Sequence, residues 1–248
     1  MAFTINWHNT IDSTNSEALR QFKECDDFTV VASKYQTSGR GQRGTSWESE
    51  TGKNLTFSLI LKPDSIKSDR QFVIAQIVAI GIKKYLKSRG VNAKIKWPND
   101  IYVGDKKVCG ILIEHFLSGD TLSGSIVGIG LNLNQERFNS NAPNPVSMKI
   151  LLNKEFDMEE ELEALVGHIY DIYFPFISYS SNSAINKLEV EYHNSLYRLE
   201  EFHKYQETPS GEVIKARITG IDNSACLLLE NEEGITKRYS FKEIKYIL

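Results

Sequence analysis

Apolar and polar positions along the chain follow two periods. Short buried runs predict strands, and stretches with apolar residues three to four apart predict helices. Val30, Val31 and Ala32 form the buried run of a strand expected over residues 28–35, and a second strand is expected over 54–61. A helix is expected from a Ser68 cap to about residue 88. Phe72, Ile77, Ile80 and Leu86 are among its apolar positions, and Gly90 is its stop. Ser13 and Thr14 precede a shorter helix. Thr14-x-x-Glu17 and Asp157-x-x-Glu160 both have the capping-box form, in which side chains satisfy free backbone N–H groups. Strands are expected at 94–97, 101–103, 108–115 and 122–131. Gly104-Asp105 and Ser118-Gly119-Asp120 are turn signals between them, so this part reads as hairpins rather than βαβ units. Two helices follow, near 158–177 and 183–196.

The pattern changes after about Ser195. Five short strands are expected at 200–205, 213–221, 225–230, 235–241 and 244–247, separated by turns such as Pro209-Ser210-Gly211 and Asp222-Asn223. Short strands at this spacing predict a small barrel. The expected organisation is a larger domain over 1–194 and a small one over 195–248, in a chain of 248 residues.

Composition narrows the function classes. Hydrophobic residues make up 41% and charged residues 25%, as in a globular chain. The formal net charge of −3 lacks the basic excess of most nucleic-acid binders. Cys25, Cys109 and Cys226 are far apart, and neither they nor the five histidines have metal-ligand spacing, so no protein-only metal site is expected. Isolated thiols, the absence of a signal-peptide pattern at Met1–His8 and the lack of a membrane-length apolar run predict a cytoplasmic protein with no membrane association.

Four segments are candidates for chemistry. Gly39-Arg40-Gly41-Gln42-Arg43-Gly44 matches G-x-G-x-x-G. A dinucleotide fingerprint needs a helix opening inside it, so that the helix N-terminus meets the pyrophosphate. Residues 45–52 offer no apolar helical face, which argues against a nucleotide-dependent oxidoreductase. The long polar loop 36–53 reads either as a lid or as a solvated surface loop. In a lid, Arg40 and Arg43 would pair with carboxylate or phosphate oxygens and Trp47 would stack on a base. In Lys96-Trp97-Pro98-Asn99-Asp100, Pro98 biases Trp97 to extended geometry and presents Asn99 and Asp100 at a strand junction; an ordinary Asn-Asp turn is the alternative. Lys107 enters an apolar strand ending in Glu114, either as a pocket lysine or as one more exposed turn lysine beside Lys106. Gly128-Ile129-Gly130-Leu131-Asn132 ends a buried strand. There Asn132 either meets a phosphate or metal ligand or closes a polar turn.

The order and spacing of these segments carry more than any one of them. Asp12-Ser13-Thr14-Asn15, Gln36-x-x-Gly39-Arg40-Gly41, Lys96-Trp97-Pro98-Asn99-Asp100, Lys107-x-x-Gly110-Ile111-Leu112-Ile113-Glu114 and Gly128-x-Gly130-x-Asn132 together resemble the biotin protein ligase family. The resemblance covers nearly the whole chain. It implies an α+β fold: a catalytic domain like that of class II aminoacyl-tRNA synthetases, with a mixed β-sheet and flanking helices, and a C-terminal SH3-like β-barrel. It implies an ATP-dependent biotin–[acetyl-CoA-carboxylase] ligase. Such an enzyme makes biotinyl-5′-AMP from biotin and Mg-ATP, then passes biotin to one lysine of a biotin carboxyl carrier protein or domain.

On the family pattern, Ser13, Thr14, Gln36 and Gly39 bind biotin. Arg40 and Lys107 hold the biotin carboxylate and the adenylate phosphate. Arg43, Trp47, Asn99 and Asn132 serve ATP and the adenylate, and Asp100 lines the ATP and acceptor-lysine side; general-base chemistry makes its carboxylate the candidate to take the acceptor lysine's proton. ATP and Mg²⁺ are the implied cofactors, no nucleic acid is an implied partner, and a homodimer is compatible. Some relatives have Arg where this chain has Gln42, which bears on how tightly the loop retains the adenylate. Some carry an N-terminal helix-turn-helix. Here the first motif begins at Asp12, so a ligase without repressor activity is expected. A lipoate–protein ligase, with the same fold and adenylate chemistry, and a non-catalytic biotin-binding module are the alternatives.

Overall fold

A computed structural model describes residues 3–63, 66–139, 144–178 and 182–248, with the side chains of Arg43 and Asn182 outside that description. β1 (Ile5–His8) and β2 (Thr29–Ser33) pair in parallel, with α1 (Thr14–Gln21) in the connection between them. β3 (Leu55–Leu61), β4 (Lys94–Lys96), β5 (Asp100–Val103), β6 (Lys106–Ser118) and β7 (Thr121–Leu131) join through antiparallel pairs. The result is a seven-stranded mixed sheet in the order β1-β2-β3-β7-β6-β5-β4. α2 (Phe72–Ser88), α3 (Met148–Leu152), α4 (Met158–Ser178) and α5 (Asn182–His193) complete this unit. β1 and α3 are elements the periodicity reading lacks.

Period-two alternation gives the sheet two unlike faces. Leu55, Phe57, Leu59 and Leu61 of β3, with Val127, Ile129 and Leu131 of β7, enter the main core shared with α2 and α4. The alternate residues face the other way. Ile60 and Ile126 pack with Val31 and Ala18 of α1 in a small second cluster. Beyond that cluster the second face is left to Ser58, Gly110, Gly128 and Gly130, and this is where the chemistry gathers.

Several helix ends differ from expectation for identifiable reasons. The Ser68 amide donates to Asp120 O at 2.8 Å, so Ser68 opens a 3₁₀ turn (Ser68–Arg70) tied to the β6–β7 turn, and α2 starts only at Phe72. The C-terminus of α2 is as expected. Gly90 has φ +83°, Val91 N donates to Leu86 O and Gly90 N to Lys87 O, which together form a Schellman ending. The Thr14–Glu17 capping box does not form. The N-cap of α1 is Ser13 with no side-chain bond, Thr14 faces Ser58, and Glu17 is held by Arg20 and Gln21. Asp157 does cap α4, since its Oδ1 accepts from the amides of Glu159 and Glu160.

The C-terminal strands are β8 (Phe202–Glu207), β9 (Val213–Ile221), β10 (Leu227–Asn231), β11 (Thr236–Tyr239) and β12 (Ile244–Tyr246). They form one antiparallel sheet in the order β11-β10-β9-β8-β12. Where the strand spacing predicts a small barrel, the structure has one five-stranded antiparallel sheet with β11 and β12 at its edges, and these two do not pair with each other among the described residues. The sheet docks on the β4–β5 region. Tyr197 N donates to Ile95 O at 2.8 Å, and the Trp97 indole N–H donates to Ala225 O at 3.0 Å. No helix among the described residues is long and apolar enough to cross a membrane.

Candidate active site

A cavity of about 1020 Å³ opens on the glycine face of the mixed sheet. Its floor follows from register. Gly110 of β6 lies opposite Gly130 of β7, and the indole of Trp47 rests on both. A Cβ at Gly130 would sit 2.3 Å from the indole, and one at Gly110 would sit 2.9 Å away, so only glycine leaves room for the ring. The Trp47 indole N–H is buried without a hydrogen-bond partner among the described residues.

The loop that delivers Trp47 is ordered as a tight hairpin. Gly41 N donates to Thr45 O at 2.7 Å and Trp47 N to Gly39 O at 3.1 Å, closing around a 3₁₀ turn (Gln42–Gly44). A Cβ on Gly39 or Gly41 would meet Trp47 O at 2.7 Å or the Thr45 hydroxyl at 2.5 Å. The repeated glycines therefore serve close chain approach. No α-helix opens in this loop, in line with rejecting the dinucleotide fingerprint.

One end of the cavity is a buried polar chain. Thr14 N donates to Gln36 Oε1 at 2.7 Å. The Ser58 hydroxyl donates to Asn15 Oδ1 at 2.6 Å and lies 2.8 Å from the Thr14 hydroxyl. Asn15 Nδ2 donates to Glu114 Oε2 at 2.9 Å, and the other Glu114 oxygen takes Arg40 Nη2 at 2.7 Å. Asp12 fixes the turn before α1 by accepting from Ser13 N and by pairing with Arg20, which holds its carboxyl well below the usual carboxylate range.

The other end is built by the 96–100 segment, in which Trp97–Pro98 is a cis peptide. Asn99 Nδ2 donates to Ile111 O at 2.8 Å and Ile111 N to Asn99 O at 2.9 Å, clamping the turn to β6. Asp100 and Lys107 are mostly buried and meet at 2.6 Å. Asp100 Oδ1 has no well-aligned hydrogen-bond donor, so this contact is an ion pair. Lys107 Nζ also lies 5.5 Å from the centre of a Trp47 ring. Lys96 lies between two aromatic rings, 4.9 Å from Tyr102 and 4.6 Å from Tyr246 of β12. Burial pushes its amine below the ordinary lysine value and the neighbouring Lys107 adds to that, while Asp100 opposes it.

Of the residues singled out from sequence, Thr14, Gln36, Arg40, Trp47, Asn99, Asp100, Lys107 and Asn132 all line this cavity. Ser13 is buried beside it, and Gly39 supports the hairpin from just outside. The side chain of Arg43 lies outside the described residues. Asn132 lines the floor, with its amide within reach of two backbone carbonyls, Val146 O at 3.2 Å and Lys107 O at 3.4 Å. Sequence reasoning quoted Lys96 within a motif but gave it no role, and it missed the C-terminal rim of Phe241, Lys242, Lys245 and Tyr246 and Ser58, which holds Thr14 and Asn15 from behind the cavity. Ser58 and the rim carry no local motif. Asn15 and Glu114 stood inside the quoted motifs, and only the fold reveals their pairing.

The cavity can bind anions. Arg40 and Lys107 approach it from a loop and from a strand, and each is paired with a carboxylate that an anionic ligand can displace. Among the described residues no group of three or more His, Cys, Asp or Glu side chains could hold a metal ion.

Comparisons place this arrangement among known proteins. Along its length the chain is 29% identical to the bifunctional ligase/repressor BirA of Bacillus subtilis (strain 168), over 239 residues that cover 94% of this chain and 71% of that one. It is 31% identical to the biotin–[acetyl-CoA-carboxylase] ligase of Paracoccus denitrificans, over 62% of this chain and 66% of that one. Its fold matches the biotin protein ligase from Aquifex aeolicus in complex with biotin and ATP, with a TM-score of 0.78, 25% identity and coverage of 98% and 99% of the two chains. A sequence model of the biotin/lipoate A/B protein ligase family matches residues 5–132, just over half of the chain and the stretch that carries the glycine floor of the cavity. The chain therefore belongs to the biotin/lipoate A/B protein ligase family.

Proposed function

We propose that this protein is an ATP-dependent biotin protein ligase, which activates biotin as biotinyl-5′-AMP and transfers it to a lysine of a biotin carboxyl carrier protein or domain. The observation that carries the reading is the convergence of Arg40 and Lys107 on one glycine-floored cavity, beside the Thr14–Gln36 polar pocket. Adenylate formation brings a carboxylate against an α-phosphate. Cations fixed in advance offset that repulsion and the charge that gathers on phosphorus. In this reading Thr14 and Gln36 receive the polar head of biotin, with Ser13 and Gly39 supporting them. Arg40 and Lys107 take its carboxylate and then the adenylate phosphate. Trp47 stacks on the base, Arg43 serves the adenylate, and Asn99 and Asn132 shape the nucleotide side.

In the second step the attacking lysine must be neutral. Asp100 is the carboxylate of the cavity that can accept its proton once Lys107 has turned to the phosphate. The residues present suit a Mg²⁺ ion that enters on ATP and keeps water and phosphate ligands rather than one caged by protein groups. Such an ion would neutralise part of the polyphosphate charge.

We further infer two units, 1–194 and 195–248. The boundary falls between the end of α5 at His193 and the start of β8 at Phe202. The small unit is of the SH3-like type and the larger one of the class II synthetase type. Free thiols at Cys25, Cys109 and Cys226 suit a cytoplasmic location. No nucleic acid is needed for the reaction.

Calorimetry and isotope exchange test the reading together. Biotin is expected to bind more tightly than lipoate and to drive exchange of labelled pyrophosphate into ATP. Tighter lipoate binding would convert the assignment to a lipoate ligase. Biotin binding without exchange would leave a binding module.

A further inference from the structure

Glu114 has no role in the chemistry proposed above, yet it joins two parts of the site. It lies on the glycine face of β6, where its backbone pairs with Ile126 of β7. One carboxylate oxygen accepts from Asn15, a residue that is 3% exposed and is itself fixed by Ser58. Asn15 packs directly on Gly128, where a Cβ would lie 2.1 Å from its Oδ1, and it is buried there. This anchors Glu114. Its second oxygen points to the lid and holds Arg40 Nη2 at 2.7 Å.

Anchored Glu114 and the arginine differ in their freedom. The pair is partly open to solvent, 46% for the Arg40 side chain and 35% for that of Glu114. A half-exposed ion pair is weak. An anion entering the cavity can therefore take the guanidinium over, while Glu114 stays on Asn15.

We propose that Glu114 is a positioning residue that parks Arg40 in the free protein and competes with the anionic reactant for it. The proposal rests on the biotin-ligase reading, because it assigns the biotin carboxylate as the competing anion. It makes the occupied and empty states of the lid arginine an exchange between two carboxylates, one of the protein and one of the substrate.

The test is a double-mutant cycle on biotin affinity, read by calorimetry with biotin as the probe. Glu114→Gln is nearly isosteric and keeps an amide oxygen for Asn15, so its melting temperature should stay close to wild type. It removes the charge that holds Arg40, and biotin should bind about two- to fivefold more tightly, the range expected for release of an exposed ion pair. In the Arg40→Ala background the same substitution should leave biotin affinity unchanged. Unchanged or weaker binding by Glu114→Gln overturns the inference. So does a tightening that persists without Arg40, since that would be a general effect of charge. If wild-type protein does not bind biotin, the proposed function itself fails and takes this inference with it. Binding by wild type with no change in the variant fails the inference alone.

Discussion

At the scale of residues, the cavity works by exchanging partners. Lys107 sits against Asp100, and Arg40 against Glu114, so neither cation is left bare before ligand arrives. Lys107→Ala is expected to lower biotin-dependent pyrophosphate exchange about 100-fold, on the order of 3 kcal/mol of transition-state stabilisation. Stability in urea should change by only about 1 kcal/mol. Wild-type exchange in that variant would remove Lys107 from the chemistry. Arg40→Gly should release biotinyl-5′-AMP, read as acceptor-independent labelling of bystander proteins; unchanged leakage would refute a retaining role for the loop. The spacing of Lys107 from Asp100, and of Arg40 from Gln36, was legible in sequence because each lies in a short motif. Ser58 was not, since a serine in a buried strand has no signature until α1 packs against it.

At the scale of elements, glycines decide how closely the layers approach. Gly128 leaves space for Asn15, which in turn anchors Glu114. Gly128→Ala should therefore cost about 1–3 kcal/mol by overpacking, measured by urea unfolding, with a rise in the KM for biotin. A fully stable variant would mean that Asn15 can shift freely. The long β6 strand also carries a pH response. Burial holds the His115 imidazole below its ordinary value of 6.5, and its Nδ1 lies 2.8 Å from the Ser125 hydroxyl. The unfolded chain gains its proton first as pH falls through about 6.5. Stability from this group is thus complete above that pH and declines below it. Melting temperature should drop between pH 7 and 5.5, and His115→Gln should reduce the slope; an equal slope in the variant would contradict this.

Strand periodicity located most of the sheet because alternation is a local property. The end positions were less legible. Ser68 opens a 3₁₀ turn tied to Asp120 rather than capping α2, and the Thr14 hydroxyl meets Ser58 across the chain in place of a capping box.

At the scale of the whole molecule, the cavity is completed by the C-terminal sheet. Lys96 rests between Tyr102 and Tyr246, and Trp97 is tied to Ala225, so the 96–100 segment is gripped from both units. The sequence marked the change of style near residue 195. It could not show that β12 returns to the site, because strand order in the small sheet is set by long-range pairing. The same pairing leaves β11 and β12 at opposite edges of the small sheet. In the proposed reading these parts together attach biotin to protein. The most direct measurement mixes the protein with biotin, Mg-ATP and a biotin carboxyl carrier domain, then weighs the carrier by mass spectrometry. The expected result is one added biotin on one lysine, dependent on ATP. A carrier of unchanged mass, in a reaction where an authentic biotin ligase modifies it, would contradict the account.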